Sequence, residues 1–126
     1  IGYIEGVEPL SKALFDMTNS AAFHDPRFEP LSAPELDRTE IEISVLSPLE
    51  PVDSYHSIEI GKHGILIRNG IRQAVFLPQV APEQGWDLLA TLRHLCMKAG
   101  LPVDAYLDDQ TDFFVFTAEV FSEEEL

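Results

Sequence analysis

The sequence predicts an α+β domain with a mainly antiparallel sheet flanked by helices. Three observations carry this: "EIEISVL" alternates apolar and polar residues, Asn69-Gly70 lies between two apolar strand-like runs, and residues 87–99 hold one apolar stripe at helical spacing. The order helix, strand, hairpin, helix, strand fits neither strict βαβ alternation nor an all-β chain.

In residues 9–23, Leu10, Leu14, Met17 and Ala21 recur on one helical face with Pro9 at the first turn, which predicts an amphipathic helix laid on a sheet. The loop "HDPRFEPL" follows, where Asp25 and Arg27 are expected to pair and Phe28 to anchor the loop. In "SAPEL", Ser32 and Glu35 have the spacing at which a hydroxyl and a carboxylate satisfy each other's backbone donors. Ile41, Ile43 and Val45 then alternate with Glu40, Glu42 and Ser44, a strand with one buried face. "SPLEPVDSYHS" reads as a proline-punctuated connection, and "IEI" and "GILIRNGIRQAVFL" as strands. Asn69 and Gly70 both tolerate the positive φ of a type I′ turn, so residues 65–68 and 71–77 are expected to pair.

The clearest helix spans residues 87–99. Leu88, Leu89, Leu92, Leu95, Cys96 and Ala99 form its stripe, Asp87 caps its start, and Gly100 closes it before Pro102. Residues 112–121 read as a last strand, and "FFVF", apolar on both faces, belongs inside a sheet rather than at its edge.

With 126 residues and 45% hydrophobic content, the chain is one domain's worth of core. No apolar run approaches the roughly 18–20 residues of a membrane helix, and the order of a secretory signal is missing. Its single cysteine excludes an internal disulfide, so a cytoplasmic location is expected. The net charge of −14, from 22 acidic against 8 basic residues, repels phosphate backbones, so nucleic acid is not an expected partner, and without a long apolar run neither is a membrane.

Few residues here are equipped for chemistry. His63 in "GKHGILI" sits among glycines, where a bare backbone lets a ligand approach; the plainer reading is a surface turn histidine. Gln79 and Glu83 lie in "FLPQVAPEQGWD", stiffened by Pro78 and Pro82, so an amide and a carboxylate on a rigid loop can orient a substrate or move a proton. Equally, Glu83 can occupy the first turn of a short helix while Gln79 satisfies loop backbone groups. His24, His56, Glu59 and His63 match no zinc or facial-triad spacing, so no metal is expected. Cys96 on the helix stripe reads as a small inert core residue, and Trp86 as cover for the start of that helix. P-loop, dinucleotide fingerprint, GxSxG and HExxH motifs do not occur, and no cofactor is expected.

Taken in order, "AAFHDPRFEPL", "IEISVLSPLE", "IGKHGILI", "FLPQVAPEQGWD" and "KAGLP" resemble the AMMECR domain over nearly all of the chain, with Tyr106 standing where that family has Trp. The resemblance implies two subdomains around a cleft. It also implies that Ile1 and Gly2 end a Leu-Arg-Gly-Cys-Ile-Gly motif whose cysteine is suspected of reactivity. Residues 1–126 are then expected to be a single such domain lacking its N-terminal segment, with at least one strand in the part that is missing. On this reading the upstream cysteine is the nucleophile or attachment point, His63 and Glu83 the catalytic groups, and Gln79 a substrate-binding group. Ile1 itself cannot serve as an N-terminal nucleophile. The resemblance further implies a Memo-like protein and a radical S-adenosylmethionine enzyme as partners, and with them an alternative role as a non-catalytic accessory subunit.

Overall fold

The computed structural model describes residues 1–4, 6 and 8–122. The chain divides into two compact units, residues 1–45 with 119–126, and residues 46–118. Helices and mostly antiparallel strands confirm the α+β class.

The first unit contains α1 (Leu10–Phe23), α2 (Ala33–Leu36) and a two-stranded sheet of β1 (Glu42–Leu46) and β6 (Ala118–Ser122). Helix α1 starts where predicted, with the Pro9 carbonyl accepting the Ala13 N–H at 3.0 Å. Its expected burial on a sheet is not found: no residue of α1 is buried, Leu10 and Ala21 are exposed, and Leu14 and Met17 are half-buried. Nor does the Ser32–Glu35 pair cap α2. Ser32 Oγ donates to Glu35 Oε1 at 2.6 Å, so the two side chains satisfy each other and leave the backbone donors alone. In β1, Ile43, Ser44 and Val45 are all half-buried, so the predicted contrast between a wet and a dry face is weak.

The Asp25–Arg27 pair forms as expected. Arg27 Nε and Nη2 donate to the two oxygens of Asp25 at 3.0 and 2.7 Å, and the Arg27 backbone N–H adds a third bond at 3.0 Å. Phe28 does not anchor this loop. It is exposed, with the Arg27 guanidinium 5.5 Å from its ring centre. Hydrogen bonds from the Arg27 side chain and backbone pull the Asp25 carboxyl down to about 2. A depressed carboxyl stabilises the fold fully above its ordinary value of about 4, and that contribution is lost as pH falls toward 2. In a carbon-detected NMR titration, the Asp25 midpoint is expected near 2. Arg27→Gln should raise it toward about 4, and an unchanged midpoint would remove Arg27 as the cause.

The second unit holds the core. Strands β2 (Glu50–Val52), β3 (Gly64–Asn69), β4 (Arg72–Phe76) and β5 (Asp112–Phe116) form an antiparallel sheet in the order β2-β5-β3-β4. As expected of "FFVF", β5 is internal. The single strand predicted over residues 112–121 is instead two, β5 and β6, in different sheets. Thr117 separates them, clasped by Ser47: its N–H donates to Ser47 Oγ at 2.8 Å and its carbonyl accepts the Ser47 N–H at 2.9 Å. Strand β2 lies in the segment read as a connection, while "IEI" is not a strand because Glu59 closes a local turn.

The β3–β4 hairpin forms, but its loop is Gly70-Ile71 rather than Asn69-Gly70. Gly70 has φ +62° and no non-glycine residue among the described ones has positive φ, so one positive-φ residue at the first central position replaces the type I′ pair. Helix α4 (Leu88–Lys98) matches its prediction closely: Asp87 accepts the Ala90 N–H at 2.8 Å, and Gly100, at φ +77°, follows the last turn. Leu92, Leu95 and Cys96 pack with Ile65, Ile67, Phe113 and Val115, whereas Leu89, placed on the stripe, is exposed.

Candidate functional site

Two of the stretches singled out from sequence approach each other. The β3–β4 ladder runs from Asn69↔Arg72 to Ile65↔Phe76. The ladder ends there, two residues short of His63 on one side and of Pro78 on the other. The approach itself is seen at Gly61, where a Cβ would lie 3.7 Å from Pro82 Cγ. The turn before β3 therefore abuts α3 (Val80–Gln84), the short helix that replaces the predicted rigid loop.

The His63 turn is closed locally. Glu59 O accepts the N–H groups of Lys62 and His63 at 3.3 and 3.0 Å, and Gly61 takes φ +91°, which side-chain-bearing residues rarely adopt. The Glu59 N–H donates to His63 Nδ1 at 3.0 Å. With Nδ1 accepting, the neutral ring carries its proton on Nε2, an assignment that follows from the hydrogen-bond network. His63, half-buried, is thereby set to donate from Nε2, and protonation at Nδ1 would forfeit the bond from Glu59. The glycines do not leave open backbone beside it. Pro82 lies against Gly61, and the Phe116 ring occupies the space a Cβ on Gly64 would need.

Gln79 immediately precedes α3, and its carbonyl accepts the Glu83 N–H at 3.1 Å. The residue is half-buried, and its side-chain Oε1 is shielded from water with no hydrogen-bond partner among the described residues. Glu83 follows one turn later and is exposed. No hydrogen bond joins His63, Gln79 and Glu83 to one another among the described residues.

Sequence reasoning passed over His94. Its Nδ1 donates to the Ala90 carbonyl at 2.8 Å, which leaves Nε2 as an acceptor, the opposite arrangement to His63. The ring stacks on Trp86 at 3.8 Å and 10°, and Trp86 lies 5.8 Å from Phe76. Lys98 sits 5.0 Å from the Phe76 ring centre and donates to the Val75 carbonyl at 2.8 Å. A usable signal was present, because a tryptophan just before a helix cap lies over the first turns where Ala90 and His94 follow at helical spacing.

Other features do not join this site. A shallow depression at the opposite end of the hairpin is lined by Asn69, Pro102, Asp104 and Asp108 and contains none of the residues predicted to act. Cys96 is fully buried, and burial pushes its thiol up, consistent with an inert core residue. Among the described residues no three His, Cys, Asp or Glu side chains converge as metal ligands, and no helix is long and apolar enough to cross a membrane.

Comparison with known proteins gives a consistent picture. The AMMECR1 family model matches residues 1–121. A Methanopyrus kandleri protein, MK0488, is 46% identical over 132 residues, covering 99% of this chain and 64% of that protein. A Methanothermobacter thermautotrophicus protein is 44% identical over 98% of this chain and 68% of its own length. The crystal structure of PH0010 from Pyrococcus horikoshii superposes with a TM-score of 0.91 at 38% identity, over 97% of this chain and 63% of that one. The chain thus spans about two thirds of the length of these relatives.

Proposed function

Because the chain belongs to the AMMECR1 family, we propose that it is a catalytic or ligand-binding domain whose polar site lies where the His63 turn meets α3. The supporting observation is the approach of Gly61 to Pro82, with the β3–β4 ladder ending just short of both stretches. Each residue has a distinct role in this reading. His63 Nε2–H holds an acceptor atom of the ligand, Gln79 Oε1 accepts from a ligand donor, and the exposed Glu83 carboxylate moves a proton. In the catalytic form, the cysteine that the family resemblance puts before Ile1 is the nucleophile. His63 then stabilises its thiolate as a donor, since accepting the proton at Nδ1 would break the Glu59 bond.

The test extends the chain by Leu-Arg-Gly-Cys ahead of Ile1 and follows alkylation by iodoacetamide. The thiol should react faster than an exposed control thiol, and His63→Ala should slow it about tenfold, the scale of one hydrogen bond to a charged group. Equal rates would remove the catalytic reading. Long-range proton–nitrogen NMR should find His63 protonated on Nε2, and a proton on Nδ1 would remove its donor role. The alternative, an accessory subunit that docks a Memo-like or radical S-adenosylmethionine protein, draws on the net charge of −14 and the lack of hydrogen bonds among the three residues. Capture that ignores charge reversal on the acidic surface would count against it.

A further inference from the structure

The four-stranded sheet ends in two edges that are built differently. Strand β2 is three residues long, with Glu50 at its start and Pro51 at its centre, so it lacks a backbone donor and carries negative charge. Strand β4 is longer and has no proline, and no strand pairs with its outer side among the described residues. Its hydrogen-bonding direction follows from the turn. Asn69 and Arg72 flank the two-residue loop and exchange their backbone bonds, and bonded pairs of this kind alternate with unbonded ones along an antiparallel ladder. Arg72, Ala74 and Phe76 are therefore bonded toward β3, while Gln73 and Val75 turn their N–H and C=O groups outward. The Val75 carbonyl bears this out by accepting a hydrogen bond from Lys98 Nζ at 2.8 Å.

The surroundings of this edge are cationic in an acidic protein. Residues 60–103 hold five of the 8 basic residues and only two of the 22 acidic ones, Glu83 and Asp87. Three of those five basic side chains stand at the edge. Lys98 lies on its α4 side, and so does Arg72, whose guanidinium fills the space a Cβ on Gly100 would need. Arg68 reaches the edge from the opposite face, where its Nε donates to Gln73 Oε1 at 3.3 Å. Neither Arg68 nor Arg72 forms an ion pair among the described residues.

We propose that β4 is a docking edge for an extended acidic segment of a partner protein, which joins the sheet as an added strand. The outward backbone groups of Gln73 and Val75 supply the strand-to-strand bonds, and Arg68, Arg72 and Lys98 meet carboxylates on the two faces of the segment. Lys98 makes the edge selective. A neutral or basic strand has to strip its ammonium from the Val75 carbonyl, whereas an acidic strand offers it a carboxylate in exchange. A second copy of the chain is a poorer occupant, because two-fold pairing of β4 with itself sets the two cationic borders against each other. A phosphate backbone answers the charge but not the outward pattern of donors and acceptors. The proposal is independent of the roles given to His63, Gln79 and Glu83.

The test titrates the isotope-labelled chain with a peptide of alternating Glu and Val, about eight residues long, within the length of an ordinary strand. At saturation the Gln73 and Val75 amides should exchange about tenfold more slowly, and binding should weaken as salt is added. Gln73→Pro deletes an outward donor at an exposed position without touching the bonds to β3, and Arg72→Glu reverses one charge on the surface. Each should weaken the peptide about tenfold. Unchanged amide shifts in α4 would show that both variants remain folded. No protection of Gln73 and Val75, an affinity indifferent to both substitutions, or equal binding of a Lys-Val peptide would overturn the proposal. Protection by an oligothymidylate in place of the peptide, or protection that appears in the chain alone as its concentration rises, would also overturn it and assign the edge to nucleic acid or to a second copy.

Discussion

Leu92→Ala is expected to destabilise the second unit by about 3–5 kcal/mol, the range for a leucine whose surroundings cannot collapse onto the vacated space. Leu92 is 0% exposed and lies on the face of α4 that meets the sheet, in one cluster with Ile65, Ile67, Leu95 and Val115. Those neighbours are held from two directions. Ile65 and Ile67 sit on a strand paired on both sides, and α4 is fixed at its start by the Asp87 cap and at its end by Gly100. The helix cannot readily slide or tilt to close a hole in its centre, so most of the lost volume would persist as a cavity. Leu89 provides the internal comparison. It is one of the leucines assigned to the stripe from sequence but is exposed, so Leu89→Ala should change stability by about 0.5 kcal/mol or less. Urea denaturation followed through Trp86 reads both substitutions. A Leu92→Ala protein within about 1 kcal/mol of the original would mean that this core relaxes freely.

The contrast between these leucines shows what was legible in the sequence. Helix α4 could be read well because its caps and most of its stripe depend on residues within a few positions of one another. Leu89 was misassigned because a stripe has edges, and which edge meets the sheet is set by the crossing of helix and strands. The segment over residues 112–121 failed for a similar reason. Nothing local in "FFVFTAEVF" reports that Ser47, 70 positions away, clasps Thr117 and sends β6 into another sheet.

The candidate site was partly legible, and its weak point was the hairpin turn. With the loop at Gly70-Ile71, the ladder closes on Ile65↔Phe76, two residues short of His63 and of Pro78, which leads into α3. With the loop one residue earlier, as the Asn69-Gly70 signal suggested, Ile65 would face Ala74 instead of Phe76. Moving a turn by one residue moves the partner by two, so a small error in turn chemistry hides a proximity that register would otherwise reveal. The Nε2 proton on His63 was less accessible still. It depends on the Glu59 N–H, which is available because Glu59 opens the turn that closes on Lys62 and His63 instead of lying in the strand read from "IEI".

Gly64→Ala is expected to destabilise the protein by roughly 2–3 kcal/mol, the scale of overpacking a tight interior. The sign of this change is informative. Gly64 is the first residue of β3 and has an ordinary negative φ, so in an uncrowded strand alanine would be favoured by about 0.5–1 kcal/mol over glycine. The opposing effect comes from its cross-strand partner, Phe116, whose ring lies over the glycine where a Cβ would have to sit. Phe116 is itself 2% exposed, so its ring cannot swing into solvent, and any accommodation must separate β3 from β5 or tilt the ring into neighbouring side chains. A double-mutant cycle isolates this contact. Phe116→Leu removes the end of the ring, so Gly64→Ala should cost much less in that background, with a coupling of about 1–3 kcal/mol. Stabilisation by Gly64→Ala alone would show that the ring moves aside freely and that the glycine is dispensable. Because His63 directly precedes Gly64, separating β3 from β5 would also shift the turn that sets its tautomer. Weakening of the Glu59–His63 hydrogen bond, read as a change in the His63 ring nitrogen shifts, should therefore accompany the loss of stability.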